Sequence, residues 1–168
     1  MIINSQNTTS KQKTLASEII FSGVGLHSGK KANVKILPDI PSSGITFIRS
    51  DLKSNNSIKA LWKNVSSTVL STTITNEHNI SVATIEHLMS ALSGMHIDNA
   101  LILIDGPEVP IMDGSSLPFV ELIENAKIQV QNNKRKILKV LRNIEVFKGD
   151  SFVRISPSDQ FSIDFEID

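Results

Sequence analysis

The spacing of apolar residues changes abruptly near Thr84, and that change limits the fold more than any other feature of the chain. Upstream, Ala32, Val34 and Ile36 alternate with Asn33 and Lys35, the period-two pattern of a half-buried strand that Pro38 ends. Downstream, Ile85, Leu88, Met89 and Leu92 fall at i, i+3, i+4 and i+7, which is one face of an α-helix. Thr84 is placed to cap that helix and Gly94 to end it. Residues 100–104, ALILI, then form a continuous apolar run of strand length, expected to be buried on both faces. A chain that carries both periods must layer helices on a sheet to bury either of them.

The rest of the chain extends this pattern. Residues 17–21, SEIIF, read as a strand running into SGVGLHSGKK, where Gly23, Gly25 and Gly29 suggest backbone with positive φ around His27. Ile45 and Phe47, then Ile58, Ala60 and Trp62, continue the alternation, and VLSTTIT (69–75) is β-branched enough to be another strand. Residues 76–79 make the turn after it. A second helix starts near Ser116, with Pro118 in its first turn and Phe119, Val120, Leu122 and Ile123 as its apolar side, and runs out near Ala126. Residues 14–127 are therefore expected to close as a first α+β domain, a two-layer sheet/helix sandwich. Residues 1–13, rich in Asn, Ser and Thr, read as a disordered tail.

Beyond residue 127 the pattern lacks a partner. Ile137 to Phe147, Phe152 to Ile155, and Phe161, Ile163, Phe165 and Ile167 are strand-like runs with no helical pattern to cover them. A small sheet with one apolar face requires another layer. Residues 128–168 are thus expected to be the incomplete start of a second, similar domain, the alternative being that these strands extend the first sheet.

Composition narrows the function classes. A 168-residue chain with 40% hydrophobic and 20% charged residues has enough apolar side chain for a core. Seventeen basic residues balance seventeen acidic ones, so no electrostatic argument points to nucleic acid, and the one basic cluster, Lys134-Arg135-Lys136, reads as a solvated linker. The lack of cysteine excludes disulfides, thiolate nucleophiles and thiolate zinc ligands. There is no apolar run of signal or membrane-span length. The expectation is a cytoplasmic protein with no transmembrane segment and no nucleic-acid partner.

The residues that can do chemistry cluster around Glu86 and His87. His87 sits about 200° around the helix from Ile85, away from the main apolar stripe and on a side with Ser90 and Ala91. A helical His is more often structural than a ligand, but a carboxylate beside a metal-bound water can act as a general base. The Glu-His pair is not the zincin motif, whose spacing differs. His27 can reach a pocket through its glycine turn or simply sit in that turn. His78 lies in a polar turn, and His96 follows a helix C-terminus, which suffices to explain it. Asp113-Gly114-Ser115-Ser116 has the residues of a turn feeding a helix N-terminus; the functional reading is that Asp113 faces the same pocket as His87.

Together, GVGLHSGK (23–30), STVLSTTI (67–74), TIEHLMSALSGMHIDN (84–99) and PEVPIMDGSSLPF (107–119) closely resemble the N-terminal half of the zinc-dependent UDP-3-O-acyl-N-acetylglucosamine deacetylases, which perform the committed step of lipid A synthesis. The motifs stand in the family's order and at about its spacing from near residue 14 onward. The resemblance implies two similar α+β domains with the active site between them, His87 as one of three Zn2+ ligands, and Glu86 as the catalytic general base. It implies that Leu70, Ser71 and Thr72 line the cleft for an acylated UDP-amino sugar, with His27 and Asp113 near that site. The family's His-x-x-x-Asp ligand pair and its general-acid His have no counterpart in this sequence. One imidazole does not hold catalytic zinc, so the chain alone is expected to be inactive until a second domain completes the site. The competing expectation is a non-catalytic α+β binding or interaction module derived from that family.

Overall fold

The computed structural model describes residues 11–166; the first ten residues of the expected tail lie outside them. The chain divides into two compact units, Met1–Arg135 and Lys136–Asp168.

The first unit is built on a five-stranded sheet. In chain order its strands are β1 (Lys11–Leu15), β2 (Ile19–Val24), β3 (Lys31–Pro38), β4 (Ile45–Arg49), β5 (Ser57–Lys59), β6 (Val65–Ser67), β7 (Thr73–Thr75), β8 (Ser81–Val82), β9 (Ala100–Ile104) and β10 (Ile128–Lys134); helix α1 (Glu86–Gly94) precedes β9 and helix α2 (Leu117–Ala126) follows it. The main sheet has the order β2-β3-β9-β4-β5, all antiparallel except the β4/β9 pair. Register puts the alternating apolar residues on one face: Ile19 opposite Ile36, Phe21 opposite Val34, Val34 opposite Ile104, Ile36 and Phe47 both opposite Ile102, and Phe47 opposite Ile58. All of these are buried, together with Leu88, Ala91 and Leu92 of α1 and Phe119, Ile123 and Ala126 of α2. Phe21 and Phe119 meet edge to face with ring centroids 5.6 Å apart. The architecture is the expected α+β two-layer sandwich, and burying a ring such as Phe47 stabilises it by about 3 kcal/mol. Strands β6, β7 and β8 form a separate antiparallel meander.

Several local expectations are corrected. Residues 11–13 are not tail: they belong to β1, which pairs antiparallel with β10, Leu15 opposite Ile128. That pairing laces residues 128–134, assigned by the sequence pattern to the later piece, onto the beginning of the first unit. Strand β9 is not buried on both faces; Leu101 and Leu103 are half-buried because the helices cover only the other side. Trp62 does not continue a strand but lies in a short 3-10 helix (Trp62–Asn64) and is 87% exposed. In VLSTTIT only residues 73–75 are strand; the preceding loop turns at Leu70, whose φ of 59° breaks the extended run. The glycines around His27 serve two purposes. Gly29 has a φ of 62°, whereas Gly23 and Gly25 are there for close approach, since a Cβ at Gly23 would lie 2.8 Å from Pro110 Cβ.

The second unit contains an antiparallel hairpin, β11 (Ile144–Lys148) with β12 (Ser151–Ile155), in which Val146 faces Val153 and Phe147 faces Phe152. Every residue of both strands is exposed. Residues 137–143 and 161–166, also expected to be strand, have no ladder partner among the described residues. Alternation alone does not make a strand without a neighbouring edge to hydrogen-bond.

Candidate active site

Glu86 and His87 open α1. The helix has no side-chain cap, which corrects the role expected of Thr84: its hydroxyl donates instead to Glu108 Oε1 at 2.9 Å, and its backbone takes a φ of 56°. Glu86 in the first turn suits the positive end of the helix. Its Oε2 accepts the backbone N–H of Thr72 at 2.9 Å, and the Ile85 N–H returns to the Thr72 carbonyl at 3.3 Å. Both Glu86 and His87 are half-buried. One carboxylate oxygen is thereby fixed, and among the described residues the other has no hydrogen-bond partner. Among the described residues the ring nitrogens of His87 have no hydrogen-bond partner; the residue is held through its carbonyl, which accepts from Ser116 Oγ at 3.0 Å.

The other expected site residues surround this pair unequally. Leu70 is 85% exposed, while Ser71 and Thr72 are half-buried, and this segment joins two of the others: the Leu70 carbonyl lies 3.2 Å from His27 Nε2, and Thr72 holds Glu86. His27 is exposed. Asp113 is exposed too; its Oδ1 accepts the N–H and the hydroxyl of Ser115, each at 2.8 Å. Those two bonds, with the nearby charge of His87 as a lesser cause, hold its carboxyl below the usual range. Asp113 therefore serves the turn before α2. With Ser22, Gly23, Val24, Ile111, Met112 and Pro118 it lines an open groove of about 530 Å³, whose lining does not include His87. His78 is exposed in its turn, and His96 Nδ1 lies 3.4 Å from Arg135.

Sequence reasoning passed over Glu108. This carboxylate is 3% exposed and accepts from His27 N, Ser28 N and Thr84 Oγ1 at 3.0, 2.7 and 2.9 Å. Burial pushes its pKa up, but the N–H of His27, the hydroxyl and N–H of Ser28 and the hydroxyl of Thr84 outweigh that and bring it to about 2. The available signal was a single acid set between Pro107 and Pro110 in an otherwise apolar stretch. Asn99 was missed likewise: buried, it donates to Gln12 and Gln131 and accepts from the Gly44 N–H, tying four segments of the first unit on the side of β1 and β10.

Among the described residues no three His, Asp or Glu side chains gather closely enough to hold an ion. His87 has no further ligands gathered beside it among the described residues, and a catalytic zinc takes three protein ligands, so these residues by themselves do not fit a resident zinc.

The family model described as UDP-3-O-acyl N-acetylglycosamine deacetylase matches residues 12–168. The UDP-3-O-acyl-N-acetylglucosamine deacetylase of Syntrophus aciditrophicus is 42% identical over 157 residues, covering 94% of this chain and 50% of the relative. Those of Shewanella violacea and Acidithiobacillus ferrooxidans are 45% and 46% identical over 94% of this chain and 51% and 52% of their own lengths. The chain spans about half the length of the curated relatives it matches.

Proposed function

Because the chain belongs to the UDP-3-O-acyl N-acetylglycosamine deacetylase family, we propose that it supplies the general-base half of an active site that removes the N-acetyl group from UDP-3-O-acyl-N-acetylglucosamine in lipid A synthesis. The observation that supports this most is the bond from Thr72 N–H to Glu86 Oε2 at 2.9 Å, which leaves Oε1 to accept a proton from water. The water oxygen then bonds to the acetamide carbonyl carbon, the C–N bond breaks, acetate departs, and the sugar nitrogen takes up the proton as a free amine. A base works only within hydrogen-bond reach and in a fixed orientation; a backbone amide on a neighbouring segment provides that orientation here. His87, His27 and the 70–72 segment flank the same place. No helix among the described residues is long and apolar enough to cross a membrane. We place the reaction in the cytoplasm, with which a chain free of cysteine agrees.

In this reading His87 would be one ligand of a zinc site completed by residues beyond this chain, and the chain alone is inactive; the first part rests on the family, and the second on the lack of a three-ligand cluster among the described residues. The test is acetate release from UDP-3-O-acyl-N-acetylglucosamine by three proteins: this chain joined to the half of the Shewanella violacea deacetylase that it does not cover, the Glu86→Gln variant of that protein, and the 168-residue chain. The first is expected to be active, the second slower by about 10²–10⁴-fold, and the third silent. Acetate release by the chain alone, abolished by His87→Ala, would overturn the half-site reading. Full activity in Glu86→Gln would overturn the assignment of the base.

A further inference from the structure

Glu108 is a buried, ionised side chain with no place in the chemistry above, and an ionised carboxylate is costly to bury unless its oxygens are fully paired. Both of its oxygens are paired, with donors from two segments, the turn at His27–Ser28 and Thr84. Oε1 accepts from His27 N and Thr84 Oγ1, and Oε2 accepts from Ser28 N. Its backbone is fixed as well: Ala83 and Glu108 form a parallel bridge, with Ala83 N bonded to the Pro107 carbonyl at 2.9 Å and Val109 N to the Ala83 carbonyl at 3.1 Å. The turn that meets it approaches closely, since a Cβ on Gly25 would lie 2.4 Å from Glu108 Oε2 and displace that carboxylate.

These contacts close a ring around Glu86. From Glu108 one arm runs through Thr84, two residues ahead of Glu86. The other runs through the backbone of His27, whose ring meets the Leu70 carbonyl, and on to Thr72, whose N–H holds Glu86. Charge-assisted bonds are shorter and stronger than neutral ones and tolerate less displacement, so an apolar residue of the same volume would fill the space without fixing either arm. We propose that Glu108 is a positioning residue, setting the distance between the His27 turn and the start of α1 and so the orientation of the Glu86 carboxylate. The inference rests on Glu86 being the base.

The experiment uses this chain joined to the half of the Shewanella violacea deacetylase that it does not cover, with Glu108→Gln, Thr84→Val, Thr84→Ser and Glu86→Gln compared side by side. Gln keeps the shape but turns an N–H toward one set of donors. Glu108→Gln is expected to lower kcat by about 100-fold, the size of effect a misplaced catalytic group produces, with KM near that of the parent. Thr84→Val is expected to fall in the same direction by less, and Thr84→Ser, which keeps the hydroxyl, to recover. Amide hydrogen exchange at His27 and Ser28 should quicken in Glu108→Gln. Parental kcat in folded Glu108→Gln and Thr84→Val, alongside an inactive Glu86→Gln, overturns the positioning role and leaves the base assignment standing. Parental kcat in Glu86→Gln overturns both. Should Glu108→Gln fail to fold, the Thr84 pair decides on the same criterion: loss with Val and recovery with Ser support the proposal, and equal kcat in the two refutes it.

Discussion

Acid titration of Glu108 should remove a measurable part of the stability of the fold. In the folded chain its pKa is about 2, against an ordinary value of 4.5, so the folded state binds the proton less readily than the unfolded state does. A group depressed in this way contributes its stability above about 4.5, and the contribution is lost as pH falls toward about 2. At about 1.4 kcal/mol for each pH unit of separation, the linkage amounts to roughly 3 kcal/mol. Solvent screening removes little of that, because the side chain is 3% exposed. The assay is urea unfolding at a series of pH values, followed by far-UV circular dichroism, since the one tryptophan, Trp62, is 87% exposed and reports poorly on the core. Asp51, held down by Arg49, and Asp113 titrate in the same direction, so the informative quantity is the difference between the parent and Glu108→Gln. That difference should shrink by about 3 kcal/mol across the interval. If it stays constant with pH, the three hydrogen bonds do not favour the ionised form, and the argument that Glu108 is a charged tie fails.

Phe47→Ala removes a fully buried ring from the centre of the main sheet and should cost about 3–5 kcal/mol in the same urea assay; a loss below about 1 kcal/mol would mean that the ring is not part of the core. Lys127, just past α2, has φ 60° and ψ 162°, a region that essentially only glycine occupies without strain, so Lys127→Gly should raise stability by about 1 kcal/mol and show a higher Tm. An unchanged or lower Tm would contradict the backbone assignment there. Metal analysis after dialysis should find no stoichiometric zinc on the 168-residue chain. Tightly held zinc on the chain alone would require a ligand set that the described residues do not show.

The two-layer fold was legible because it depends on local periodicity. Ala32, Val34 and Ile36 at period two, and Ile85, Leu88 and Leu92 at helical spacing, bury in the structure as their spacing predicts. Glu86 and His87 were legible as a pair for the same reason, since adjacent positions at a helix start are fixed by the helix itself. Failures came where a long-range contact overrode a local preference. Thr84 has the chemistry of an N-cap, but Glu108, 24 positions away, takes its hydroxyl. Val69 to Thr72 has strand composition, yet its backbone turns at Leu70 to meet His27 and then Glu86. Residues 161–166 alternate like a strand, yet no ladder partner for them is present among the described residues.

The sequence by itself determined which faces are apolar, and therefore that helices cover one side of a sheet, because burial follows spacing along the chain. Only the tertiary structure decided that residues 128–134 return to pair with residues 11–15 and that the carboxylate of Glu108 joins the turn at 25–28 to the start of α1. Hydrogen bonds between segments far apart in sequence depend on where the whole chain brings donor and acceptor, and no local pattern of residues encodes that distance.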